Sequence, residues 1–88
     1  MNEDRQKIID EIDKELDYAN GKWGTEFDDK NTINDWAAYI QIYVGQAVRM
    51  GSSKEEQKKQ LTKAAGLAIS ALEAFERNGG FPPRHYDK

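Results

Sequence analysis

Two short segments carry the residues best suited to hold a ligand. Lys22-Trp23-Gly24-Thr25-Glu26-Phe27-Asp28-Asp29-Lys30 offers ammonium groups beside two rings, and Arg84-His85-Tyr86 adds a guanidinium and two more flat rings. Cations of this kind suit phosphate, and rings suit a base. Lys22, Lys30 and Arg84 are therefore candidate phosphate contacts, with Trp23, Phe27, His85 and Tyr86 as candidate ring contacts for a small nucleotide. A plainer alternative stands beside this one. Trp23 and Phe27 would tuck over the end of a helical bundle, Phe81-Pro82-Pro83 would fold back to cap it, and Arg84 and His85 would belong to a mobile terminus.

Catalytic chemistry has thinner support. His85 is the only histidine and there is no cysteine, so a multi-histidine or thiolate metal site within one chain is excluded, as is a cysteine nucleophile. Metal-dependent phosphate hydrolysis in a bundle needs carboxylates converging from facing helices. Between Asp35 and Glu55 there is no acid at all, so Glu73 and Glu76 would have to find partners among Asp10, Glu11, Asp13, Glu15 and Asp17. Those five alternate with Lys7 and Lys14, which reads more simply as a solvated face supported by ion pairs. Asp28-Asp29 could hold a divalent ion, but adjacent acids point in different directions and more often serve turns and caps.

Three helices position these groups. Ile8, Ile9, Ile12, Leu16 and Ala19 recur at helical spacing over residues 3–19, and Asn20-Gly21 is expected to stop that helix, leaving Lys22 to Lys30 in a loop. Thr32-Ile33-Asn34-Asp35 has the form of a variant capping box and opens a second helix over about 33–50. Its expected core stripe is Ile33, Trp36, Ala37, Ile40, Tyr43, Val44, Ala47 and Val48, while Tyr39 and Ile42 point elsewhere. Gly45, inside this helix, suggests close packing by another helix.

Met50-Gly51-Ser52 ends the second helix, and Ser53-Lys54-Glu55-Glu56 caps a third that runs to about Arg77 and stops at Asn78-Gly79-Gly80. Leu61, Ala65, Ala68, Leu72 and Phe75 form its expected main stripe. A second stripe comprises Ala64, Leu67, Ala71 and Ala74, with Gly66, Ser70 and Ala74 as a small-residue ridge. The segment from Ala64 to Phe75 thus reads as buried nearly all round, and a second copy is expected on its second stripe and on the Tyr39/Ile42 face.

The fold class is all-α: one domain over 1–78 with an extended tail over 79–88. A chain of 88 residues buries only roughly 60–65% of its unfolded surface, so a homo-oligomer, dimer or larger, is expected. Charge is split, with eleven acids and five bases in residues 1–35 against five acids and eight bases in 36–88. No basic stripe suits duplex nucleic acid. Neither a signal peptide nor a bilayer-spanning run is visible, and a reducing, cytoplasmic setting fits the absence of cysteine.

The order of an acidic amphipathic helix, Lys22-Trp23-Gly24, a Trp36-containing helix and the run Ala64-Ala65-Gly66-Leu67-Ala68-Ile69-Ser70-Ala71-Leu72-Glu73-Ala74 resembles small phage-encoded MazG-like proteins over residues 5–77. The resemblance implies an all-α nucleoside-triphosphate pyrophosphatase ancestry with oligomeric bundles, Mg²⁺ and nucleotide substrates, in the cytoplasm of a bacterial host. The family's paired glutamates would fall on Ile40-Gln41-Ile42-Tyr43-Val44-Gly45-Gln46, and its later acidic motif near Gln60-Leu61-Thr62-Lys63, where no acid stands. No metal ligand carries over, so Mg²⁺ would be a cofactor only if pyrophosphatase activity persisted. Without those carboxylates hydrolysis should be absent or very weak, while repulsion against phosphate also falls. The leading expectation is a non-catalytic nucleotide-binding protein, an anti-defence sponge for a nucleotide-derived immune signal; the alternatives are an Mg²⁺-dependent pyrophosphatase and a module that docks on a host protein.

Overall fold

A computed structural model of the chain describes residues 2–49 and 51–84, apart from the side chains of Asn20, Lys22 and Trp23. It is all-α, with no strand among the described residues. The elements are α1 (Glu3–Asp29), α2 (Ile33–Ala47) and α3 (Lys54–Asn78). No described helix is long and apolar enough to cross a membrane.

Helix starts follow their capping chemistry. Asn2 accepts from the Arg5 amide at 2.7 Å to open α1. At α2 the Thr32 hydroxyl accepts from the Asp35 amide at 3.2 Å, and the Asp35 carboxylate accepts from the Thr32 amide at 2.9 Å, completing the expected reciprocal box. At α3 only half of such a box forms. Ser53 accepts from the Glu56 amide at 3.0 Å, whereas the Glu56 carboxylate turns forward to the Gln60 amide group at 2.7 Å. Gly79 closes α3 in the left-handed region at φ 71, and the Gly80 amide donates back to the Phe75 carbonyl at 2.9 Å.

The expected stop at Asn20-Gly21 does not occur. Helix α1 runs through both residues and breaks instead at Gly24, whose φ of 78 and ψ of 173 suit glycine alone, before a last stretch reaches Asp29. The segment from Lys22 to Lys30 is therefore a broken helix rather than a loop. The second helix is also shorter than expected, ending at Ala47 with Val48 as its cap. Met50, part of the expected stop, lies outside the described residues.

Helix α3 is the centre of the molecule. It packs along both other helices, whereas the backbones of α1 and α2 do not approach each other. Glu11 pairs with Lys58, Glu15 with Lys63 and Asp29 with Arg77, so α1 runs parallel to α3. Trp36, near the start of α2, packs with Ala71 and Ala74, near the end of α3, so these two helices are antiparallel.

Which face of each helix is buried differs from the sequence expectation. On α3 the buried line contains Gln60, Ala64, Gly66, Ser70, Ala71 and Ala74, while Leu61, Leu72 and Phe75 are exposed. Size matching is the reason: Trp36, only 1% exposed, fills the space left by Ala71 and Ala74, and a leucine at either place would collide with it. On α2 only Trp36 and Ala47 are buried, and Ile33, Val44 and Val48 of the expected stripe face out. Helix α3 is thus not enclosed on all sides within one chain.

The small-residue ridge is where α1 sits. A Cβ placed at Gly66 would lie 3.7 Å from the Glu15 Cγ and 3.9 Å from a Leu16 methyl, so the close approach occurs here. Gly45 has open space where its Cβ would be, and the close packing expected there is absent among the described residues.

Candidate ligand-binding groove

The separation of α1 from α2 leaves a groove floored by α3. It encloses about 420 Å³ and is lined on one side by Glu15, Leu16, Tyr18 and Ala19, and on the other by Trp36, Tyr39, Ile42 and Tyr43. Lys63, Gly66, Leu67 and Ser70 form the floor, and Phe27 and Asp28 stand at the end beyond the Gly24 break. This size lies within the range of small-molecule sites. Its walls are mostly ring and alkyl surface with a few charged groups among them.

Ring contacts shape the groove. Phe27 lies nearly parallel to Tyr39, with centroids 6.5 Å apart, and this pair bridges α1 to α2 near their connecting turn. Lys63 is 5.9 Å from the Tyr43 ring centre and donates to Glu15 at 2.9 Å. The hydrogen bond to Glu15 holds the Lys63 ammonium above its ordinary pKa, so this cation stays charged. Trp36 is buried and its indole N–H meets no hydrogen-bond acceptor among the described residues.

The two adjacent acids divide as turn groups do. Asp29 accepts from the Arg77 guanidinium at 3.1 Å and from the Asn78 amide at 2.9 Å, which pins the end of α1 to the end of α3. Those hydrogen bonds, Arg77's first and Asn78's second, hold the Asp29 carboxyl below its ordinary value. Asp28 instead lines the groove, where burial raises its pKa against the opposing pull of Arg77. The other α1 acids lie on a largely solvated face, with Glu11 and Glu15 tied to lysines of α3 rather than to neighbours on α1.

The candidate residues read from sequence are only partly brought together. Phe27 enters the groove. Lys22 and Trp23 belong to α1 just before its break, with side chains outside the description. Lys30 is the exposed cap of α1, and Arg84 is half-buried in the segment that follows Phe81. His85 and Tyr86 lie outside the described residues. Phe81 itself folds back onto the Trp36 cluster and meets Phe75 edge-on at 5.2 Å. Because Asp29 joins Arg77 and Asn78, residues 22–30 and the start of the tail share one end of the bundle.

Sequence reasoning missed most of the groove. Tyr39 and Tyr43 are four residues apart on one helix face, and with Tyr18 they could have signalled a ring-lined wall. Tyr39 and Ile42, expected to meet another copy, form that wall within the chain.

Stacking, ion pairing and hydrogen bonding are the chemistry this arrangement supports. Ser70 has no histidine beside it among the groove residues, and no group of three or more His, Cys, Asp or Glu suited to a metal occurs among the described residues. No protein-family model, curated protein or solved structure matches the chain.

Proposed function

We propose that this protein is a non-catalytic binder of a small nucleotide that works as a homo-oligomer. The observation that carries this reading is the ring-lined groove with one constitutively charged cation, Lys63, at its floor. A base would slide between the Tyr39 and Tyr43 wall and Tyr18, with Phe27 at the end. Lys63 would meet a phosphate or an anionic ring edge, and Lys22, Lys30 and Arg84 would supply cations for further phosphates. The resemblance to MazG-like proteins adds the phage setting, in which the bound nucleotide would be a host immune signal held intact in the bacterial cytoplasm.

The test is to incubate the protein and Mg²⁺ with a panel of nucleotides and cyclic nucleotide signals, ultrafilter, denature the retained fraction and identify every species by chromatography. An intact nucleotide released only on denaturation supports the proposal. New products would make the protein an enzyme instead, and the absence of both retention and turnover would remove nucleotides from its function.

A further inference from the structure

The groove carries its charge unevenly. Among the described residues its charged lining is Glu15, Asp28 and Lys63. Glu15 and Lys63 satisfy each other at 2.9 Å, whereas the Asp28 carboxylate has no hydrogen-bond partner among the described residues. Arg77, the cation that acts on Asp28, spends its guanidinium hydrogen bonds on Asp29 instead. Asp28 is half-buried, and that burial raises its pKa, as desolvation does to a carboxylate short of donors. The unmet demand of the groove is therefore for N–H donors rather than for another acceptor.

We propose that Asp28 reads the base of the bound nucleotide and selects guanine. The proposal rests on the nucleotide reading above and names the base within it. Ring surface adjoins the carboxylate: Asp28 follows Phe27 directly, the Phe27 ring lies 23° from parallel to Tyr39, and Tyr43 stands one turn further along α2. A base laid on the Tyr39/Tyr43 wall toward Phe27 would turn its edge to Asp28.

The chemistry of that edge decides which base fits. A carboxylate has two oxygens side by side and accepts best from two adjacent N–H donors. Guanine presents such a pair, its ring N1–H beside the exocyclic N2 amine. Adenine and cytosine set one amine beside a ring nitrogen that is itself an acceptor, and uracil and thymine set one N–H between two carbonyls. Each of these turns a lone pair toward one of the carboxylate oxygens, and hypoxanthine, which keeps N1–H but lacks the amine, leaves one oxygen unmet.

The other charged pair of the groove agrees with this orientation. Asp28 lies within the field of Glu73, which stands ten residues beyond Lys63 on α3, about 15 Å at 1.5 Å per residue. A base edge at Asp28 therefore leads the sugar along the apolar walls and sends the phosphates toward Lys63. The reverse orientation would set phosphate against the Asp28 carboxylate, anion to anion.

The test compares guanosine, inosine, adenosine and xanthosine, each as the 5′-triphosphate and as the 3′,5′-cyclic monophosphate, by calorimetric titration in EDTA, where only the base differs within a series. The wild type should bind inosine roughly tenfold and adenosine roughly a hundredfold more weakly than guanosine, the scale of one and of two hydrogen bonds to a charged acceptor. Asp28→Asn, checked for helix by circular dichroism, should prefer xanthosine to guanosine, because the asparagine amide donates to the xanthine O2 while its oxygen accepts from N1–H. A purely structural role for Asp28 would weaken all four bases alike. Equal affinity of the wild type for guanosine and inosine overturns the proposal and leaves the nucleotide reading standing, and so does a folded Asp28→Asn variant that still prefers guanosine. A wild type that binds no member of either series removes both.

Discussion

Glu15 and Lys63 meet at 2.9 Å between α1 and the floor of the groove, with the Tyr43 ring beside the ammonium. The pair does two things at once: it ties α1 to α3, and it fixes the cation at the centre of the groove. Both side chains are less than one-third exposed, so the pair is better shielded than a surface ion pair. Its carboxylate also neutralises the very charge that an anionic ligand would seek.

Removing that competition should sharpen binding. Glu15→Gln should tighten an anionic ligand by roughly three- to ten-fold, and Lys63→Met should weaken it by a similar factor, the scale of one charge-assisted hydrogen bond. Each variant should lose about 0.5–1 kcal/mol of stability through the broken helix tie. Calorimetric titration with whichever nucleotide the retention assay identifies measures the first effect, and thermal unfolding the second. Equal affinities for all three proteins would mean that Lys63 does not touch the anion.

Asp28 and Asp29 should respond oppositely to pH although they are neighbours. The folded-state pKa of Asp29 lies below 3.8, so the stability it provides is complete above that value and disappears as pH falls through the lower folded value. Asp28 has a folded-state pKa above 3.8, so the burden of its buried charge is full above the raised value and relieved as pH falls below 3.8. At pH about 7, Asp28→Asn should therefore raise Tm by a few degrees and Asp29→Asn should lower it. Both differences should shrink toward zero in strong acid. A lowered Tm for Asp28→Asn at neutral pH would show that its carboxylate is stabilising after all.

The helix starts were legible because capping is local: Thr32 with Asp35, and Ser53 with the Glu56 amide, need only a few consecutive residues. The stop at Gly79 is equally local. The break in α1 was not, since Gly21 and Gly24 look alike in sequence and the choice between them depends on where Phe27 and Asp29 find Tyr39 and Arg77. The same applies to the faces of α3. Its leucine stripe has the stronger hydrophobic signal, yet Trp36 selects the alanine stripe because only small side chains leave room for an indole. The groove depends on that selection too, and so Phe27 alone among its residues was expected from sequence as a ligand contact.

The reciprocal cap at α2 gives a further test. Thr32 is buried, and its hydroxyl and amide are both engaged with Asp35. Thr32→Ala should cost about 1–2 kcal/mol, and Asp35→Ala about 1, because each leaves one amide of the first turn without its side-chain acceptor. Thr32→Ser should recover most of the loss. Urea unfolding checks the series, and a Thr32→Ser variant no better than Thr32→Ala would assign the cost to the methyl group instead.

Three glycines should differ in sign when replaced by alanine. Gly45 is helical with open space around its missing Cβ, so Gly45→Ala should gain about 1 kcal/mol of helix propensity, a rise of roughly 4–8 °C in Tm for a domain of this size. Gly66→Ala should gain at least as much, because the new methyl would touch Glu15 and Leu16 at ordinary contact distances while displacing neither. Gly24→Ala should lose roughly 1–3 kcal/mol despite equally open space, because its φ of 78 is strained for any side chain. That loss should come with weaker ligand retention, since Phe27 and Asp28 reach the groove only through the turn at Gly24. A Gly24→Ala protein as stable as the wild type would mean that α1 passes through residue 24 as ordinary helix, and the end wall of the groove would then have to be drawn elsewhere.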